Sequence, residues 1–165
     1  MVDVVLPAPV VAAGSIFDGR GLAAALVLGA VGANVGTRFL ASREATISDG
    51  YKRVILEAAS QDAVKFDALN DLLPSPGTRG YGKVLRSIKT AFIDQLQTEP
   101  GLARRDSQRL LDVLKSAIQA GNVHKVMPTA GQGAGGIRKV LPAAEIIERM
   151  IAEAETALAG APRPA

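Results

Sequence analysis

Two short glycine-bearing segments carry the residue types that suit the binding of an anion. Gly14-Ser15 follows one apolar run, and Gly36-Thr37 follows a second. Small residues let an anion approach the main chain, and successive backbone N–H groups in such turns point toward one spot. We expect a phosphate group as the ligand. The alternative is that both segments are only tight turns packed against helices.

The elements around these segments determine whether they meet. Pro9–Ala13 and Ala30–Val35 are short apolar runs that predict strands buried on both faces of a parallel sheet. Asp18 is a candidate N-cap for a helix over Gly19–Leu28 between them. Strands joined through a helix lie parallel with a right-handed crossover, so their carboxyl ends are neighbours. The two segments are therefore expected to lie side by side.

The remainder of the chain is mainly helical in pattern. An edge strand is predicted over Ala63–Leu69, because charged and apolar residues alternate there, and the composition of Leu72–Lys83 predicts a loop. A glycine-rich loop is predicted over Ala130–Gly136. In the last helix an apolar stripe is expected at Ile146, Ile147, Met150 and Ile151. The predicted helices are Ser48–Ser60, Ser87–Gln97, Asp106–Ala120 and Leu141–Leu158.

Composition excludes several classes of function. The 19 basic and 16 acidic residues form no long basic run, which argues against nucleic-acid binding. The chain has no cysteine, so disulfides, thiol nucleophiles and cysteine metal sites are absent, as suits a cytoplasmic protein. No segment is typical of a signal peptide or a membrane span, and no residue cluster has metal-ligand spacing. Arg38 follows the second segment, where we expect a structural salt bridge.

Longer stretches of the chain resemble one known family, the nitronate monooxygenases, formerly called 2-nitropropane dioxygenases. The resemblance covers nearly the whole chain and begins in the two segments already described. Its motifs are PVVAAGSIFDGRGLAAALVLGA at 9–30, GANVGTRFLA at 32–41, LNDLLPSP at 69–76, GQGAG at 131–135 and VLPAAEII at 140–147.

The resemblance implies an FMN-binding barrel that oxidises alkyl nitronates with O2. It places Ser15 where the family has the second glycine of an Ala-Gly-Gly-Ile turn. The family's Gln-Met-Gly-Thr falls on residues 34–37, so that Asn34 is one methylene shorter than the family's glutamine. The cofactor-binding residues implied in this way are Gly14, Ser15, Asn34, Val35, Gly36 and Thr37, with Gln132 on a flap near the flavin ring or substrate.

The resemblance also implies that the catalytic base lies elsewhere. The family's histidine stands in a Gly-Gly-His segment upstream of the first strand, which would fall before Met1. His124 is the only histidine, and its place between two predicted helices favours a structural or solvent-facing role. We therefore assign no catalytic residue. Residues 131–136 match the pattern G-x-G-x-x-G, but we predict no dinucleotide site there because no strand precedes the pattern.

The fold class expected from these observations is α/β. The chain would be an incomplete C-terminal portion of an FMN-binding TIM barrel followed by a mainly helical region. Residues 1–60 would hold the last strand–helix units and the phosphate loops, 61–159 the helical region, and 160–165 a disordered tail. Such a chain would be a truncated enzyme that needs a missing N-terminal half or self-associates through its open sheet. The alternatives are an FMN-dependent enoyl-ACP or NADH:quinone reductase, and a noncatalytic fragment.

Overall fold

The chain contains two small sheets surrounded by helices. It was studied as a computed structural model, which describes residues 2–66, 85–99 and 101–160. The helices are α1 (Val2–Val5), α2 (Gly19–Val27), α3 (Thr37–Leu40), α4 (Asp49–Glu57), α5 (Ala91–Thr98), α6 (Leu102–Arg105), α7 (Ser107–Gln119) and α8 (Ala143–Ala159). The strands are β1 (Val11–Ala13), β2 (Gly32–Asn34), β3 (Ala63–Phe66) and β4 (Leu85–Ile88). Short 3-10 turns cover Ser60–Asp62, Val123–Lys125 and Gln132–Gly136.

The first sheet confirms the predicted strand–helix–strand unit. β1 and β2 pair in parallel, with Ala13 opposite Asn34. The connecting helix α2 begins where it was expected, since the side chain of Asp18 accepts a hydrogen bond from the Gly21 N–H at 2.9 Å. The burial expected for these strands is wrong, because no further strand pairs with either of them among the described residues. Val11 is accordingly 56% exposed.

The second sheet corrects the prediction of a helix over Ser87–Gln97. β4 ends at Ile88 and pairs antiparallel with β3, so the predicted edge strand is confirmed as far as Phe66. The helix begins only at Ala91, because Thr90 caps it by accepting a hydrogen bond from Ile93 N–H. The rest of the predicted strand, the loop over Leu72–Lys83 and residues 161–165 lie outside the described residues.

Two apolar clusters form the interior. One joins α4 to the 130–137 segment and is built on Ile55, Ile137 and Ala134. The other packs α5, α6 and α7 together through Ile93 and Leu110. α7 thus follows the predicted apolar pattern, as does α4 with its capping residue Ser48.

Helix α8 packs along α2. Ile146 and Met150 are buried, whereas Ile147 is 48% and Ile151 49% exposed, so the apolar stripe is narrower than expected. A helix at the surface of a small protein buries about one stripe of residues three or four apart, and the adjacent positions fall at its border. Pro142 stands at the N-cap of α8 rather than in its first turn.

Candidate functional site

The structure brings the two predicted anion-binding segments to one edge of the first sheet. Gly14 and Ser15 follow β1, and Val35 and Gly36 follow β2, directly after the paired residues Ala13 and Asn34. The crossover through α2 therefore places both turns at the carboxyl ends of neighbouring parallel strands, as predicted. Ligands of open α/β folds characteristically bind at such ends.

The turn after β1 has an unusual backbone. Gly14 has φ +100° and Ser15 has φ +56°, which makes Ser15 the one non-glycine residue with positive φ in the described chain. A side chain in this left-handed region costs roughly 1–2 kcal/mol, which explains why a glycine would suit this position. Turns of this curled kind direct successive N–H groups toward one point, a geometry that favours an anion.

Backbone groups at this edge are free to bind a ligand. The N–H groups of Ser15 and Gly36 donate to no other group in the parts of the chain described. A Cβ atom built at Gly14 or Gly36 would meet nothing within 4 Å, so space lies in front of both turns. The Thr37 hydroxyl stands next to them at the start of α3.

The glycine-rich segment of residues 131–136 lies across both turns. Gly131 N–H donates to Thr37 Oγ1 at 2.9 Å. A Cβ at Gly133 would lie 3.2 Å from Ser15 Cα, and one at Gly136 would overlap the ring of Phe17. Close packing thus explains two of the glycines. Sequence reasoning missed these contacts, although the spacing of the glycines was the available signal.

Three of the predicted cofactor residues have less defined roles. Asn34 is exposed at the end of β2, and Val35 is half-buried beside it. Gln132 is exposed at the start of the 3-10 turn that crosses the site, as a flap residue would be. None of the three side chains makes a hydrogen bond to another described residue that would fix its orientation.

Arg38 does not form the salt bridge expected from the sequence with any residue that the structure describes. Its side chain turns away from the two turns and is 6% exposed. Nη2 donates to the Lys139 carbonyl at 2.9 Å, with a longer contact of 3.4 Å to the Ala41 carbonyl. Burial, followed by the charge of Arg149, lowers the pKa of Arg38 below its ordinary value.

His124 is held in a structural setting away from the two turns. Its Nδ1 lies 3.2 Å from Ser48 Oγ, the capping atom of α4. Its ring covers Gly50, where a Cβ would stand 2.5 Å from Nε2. These contacts favour the structural role expected for His124.

Among the described residues there is no cluster of histidine, aspartate or glutamate that could hold a metal ion, and no helix there has the length and apolarity to cross a membrane.

Comparison with known proteins places this arrangement in a class and then in a family. The two parallel strands joined through a helix, with a glycine turn after each strand, define an α/β protein. The chain belongs to the nitronate monooxygenase family, whose model matches residues 1–153. The family inferred from the motifs is thereby confirmed.

Individual relatives agree with this assignment. A nitronate monooxygenase of Paraburkholderia phytofirmans is 33% identical over 86% of this chain and 37% of its own length. A (3aS,4S,5R,7aS)-5-hydroxy-7a-methyl-1-oxo-octahydro-1H-indene-4-carboxyl-CoA dehydrogenase of Rhodococcus jostii is 31% identical over 88% of this chain and 50% of its own length. The solved structure of FabK from Thermotoga maritima matches 93% of this chain and 46% of its own, with a TM-score of 0.72 and 30% identity. The chain spans about half the length of the curated relatives it matches.

Proposed function

We propose that this chain supplies the FMN phosphate site of a nitronate monooxygenase that oxidises alkyl nitronates with O2. The observation that carries the proposal is the convergence of two glycine turns and the 131–136 segment at the carboxyl edge of β1 and β2. The family membership supports the reaction, and the open N–H groups of Ser15 and Gly36 support the cofactor.

The residues at this edge fit a flavin phosphate. Ser15 and Gly36 offer N–H donors, Thr37 offers a hydroxyl, and the open space in front of Gly14 lets a phosphate reach the main chain. Bound FMN would supply the electron-accepting ring that nitronate oxidation requires. By the family resemblance, the exposed Gln132 would belong to a flap that approaches that ring.

The remaining part of the barrel is also part of the proposal. Apolar side chains of this sheet lie at the surface, among them Val11 in β1 and Val31 directly before β2. Polypeptide carrying the preceding strands would cover them and bring the catalytic histidine. No residue in the described part of the chain combines the position and chemistry of that base, so we assign the chain binding and positioning rather than proton transfer.

A second candidate is an oxidoreductase of the same family that does not act on nitronates. The dehydrogenase name of the Rhodococcus relative favours it, as does the shared fold of FabK. An enoyl-ACP or quinone reductase would use the same phosphate turns. It would differ in accepting electrons from NADH. A third candidate is a fragment that does not bind the cofactor at all.

A titration of the purified chain with FMN tests the cofactor assignment. We expect quenching of flavin fluorescence with saturation at one site, and tighter binding in Ser15→Gly because glycine removes the hydroxymethyl group from the path of the phosphate. Thr37→Val should weaken binding, since it removes both a hydroxyl and the bond to Gly131. Thr156→Val on the exposed face of α8 is the matched control. A chain that stays colourless and leaves FMN fluorescence unchanged would support the noncatalytic reading.

Anaerobic reduction separates the two enzymatic candidates. The FMN-loaded chain, alone and mixed with the N-terminal half of a relative, is exposed to propyl nitronate or to NADH. Bleaching of the flavin by nitronate in the mixture is the expected result. Bleaching by NADH alone would instead identify a reductase.

A further inference from the structure

A cavity lies next to the residues that follow the two glycine turns, with Phe17 and Arg38 in its wall. It has a volume of about 400 Å³ and opens between the start of α2, the 136–141 segment and α8. None of the seven predicted cofactor residues lines it. Its basic side chains are Arg20, Arg38, Arg138, Lys139 and Arg149, and its acidic ones are Asp18 and Glu153.

Both carboxylates of the cavity are already engaged. Asp18 Oδ1 accepts from the Gly21 N–H at 2.9 Å, and Glu153 Oε2 accepts from the Gly19 N–H at 2.9 Å. These bonds hold the start of α2 and keep both carboxylates close to the first turn of that helix. Five basic side chains thus line the cavity against two acidic ones, and one oxygen of each acidic side chain is held by a backbone N–H group.

Arg38 differs from the other basic residues of the cavity because it is buried. Its guanidinium is almost fully buried, yet within the described ranges its acceptors are the neutral carbonyls of Lys139 and Ala41. The nearby charge of Arg149 opposes its own, and the cost shows as a lowered pKa. A buried charge without a counter-charge is unfavourable. Arg149 already pairs with Glu145 on its own helix, so an anion in the cavity would mainly supply the counter-charge that Arg38 lacks.

We propose that this cavity binds a diphosphate group, either inorganic or at the end of a nucleotide. Guanidinium groups form paired hydrogen bonds with phosphate oxygens, and a ligand with several charges matches a cluster of cations better than one carboxylate does. The cavity is larger than one phosphate, and Phe17, Ile146 and Met150 line its apolar side. This site is separate from the flavin phosphate turns and holds whether or not FMN binds.

Calorimetric titration of the full chain tests the proposal. Pyrophosphate, ADP and succinate are compared at constant ionic strength, with and without saturating FMN. We expect one site for pyrophosphate or ADP, little heat with succinate and no competition from FMN. Tighter binding of ADP would identify a nucleotide as the source of the diphosphate. Equal or tighter binding of pyrophosphate would identify the inorganic ion.

Variants connect the binding to the cavity. Arg149→Gln and Lys139→Gln change exposed residues and should each weaken pyrophosphate binding by about tenfold, as expected for the loss of one charge-assisted contact. Lys115→Gln on the exposed face of α7 is the control and should leave the affinity within about twofold. Thermal melting of each variant shows that it is folded. Absence of binding, unchanged affinity in both cavity variants, equal binding of succinate or displacement by FMN would each overturn the proposal.

Discussion

The contact between α2 and α8 leaves no room for a side chain at Gly19, the first residue of α2. Its N–H donates to Glu153, and a Cβ at this position would stand 2.5 Å from Ala154 N and closer still to Met150 O and Glu153 Cβ. Two of these are backbone atoms of a long helix, so they cannot rotate away. Gly19→Ala must therefore push the two helices apart.

The size of the effect follows from packing. Forcing one carbon atom into a filled interface costs about 1–3 kcal/mol, whereas alanine gains at most about 1 kcal/mol over glycine in helix propensity. We expect a net loss of stability of about 1–2 kcal/mol. For a chain of this length that corresponds to a melting temperature lower by roughly 2–8 °C. Urea unfolding followed by circular dichroism measures the change directly.

Gly21 in the same turn of α2 provides the matched control. A Cβ there would lie 3.4 Å from Asp18 Oδ1 and 3.6 Å from Ile16 Cγ2, which is ordinary contact distance. Gly21→Ala should therefore stabilise the chain by about 0.5–1 kcal/mol through helix propensity. If Gly19→Ala were as stable as Gly21→Ala, the close packing of α2 on α8 would not exist as described.

Three further substitutions test other contacts. The Glu44 carboxylate accepts hydrogen bonds from its own backbone N–H and from the Ala143 N–H at the start of α8, and these bonds lower the pKa of Glu44 below its ordinary value. The contribution of Glu44 to stability is therefore full above the ordinary pKa and is lost as pH falls through the lower folded value. The melting temperature of Glu44→Gln should accordingly fall less on acidification from pH 6 than that of the parent chain. Ser87 Oγ is buried without a hydrogen-bond partner in the described chain. Ser87→Ala should therefore leave the free energy of unfolding unchanged or raise it by up to about 2 kcal/mol. A clear loss of stability would show that the hydroxyl does form a hydrogen bond. Tyr51 donates to the Thr129 carbonyl at 2.9 Å, and Tyr51→Phe should cost about 1 kcal/mol in urea unfolding, whereas no loss would mean that water replaces the bond.

Local signals in the sequence predicted the part of the fold that forms the candidate site. Asp18 marked the start of α2, and two apolar runs separated by a helix implied parallel strands. Their burial could not be inferred, because it depends on which further strands lie beside them. The family motifs pointed to the same turns, and the structure adds the left-handed Ser15 that glycine would relieve.

Nonlocal pairing explains the errors. Leu85–Ile88 has helix-compatible spacing, and only its partner Ala63–Phe66 makes it a strand. The glycines of 131–136 were compared with a dinucleotide motif, whereas their role is to pack on Ser15 and Phe17, more than a hundred residues earlier. Neither contact leaves a periodic pattern in its own segment.

The crossing of the glycine turns by residues 131–136 also has a consequence for the order of events during synthesis. The bond from Gly131 to Thr37 spans 94 residues, so the N-terminal turns emerge from the ribosome long before their cover does. Until that cover has emerged, Ser15 and Thr37 lack the contacts that hold them in place. If the chain binds FMN as proposed, its uptake is therefore expected to be a late, post-translational step. Ribosome-bound chains stalled before Gly131 should fail to retain FMN, whereas chains released after Ala159 should retain it.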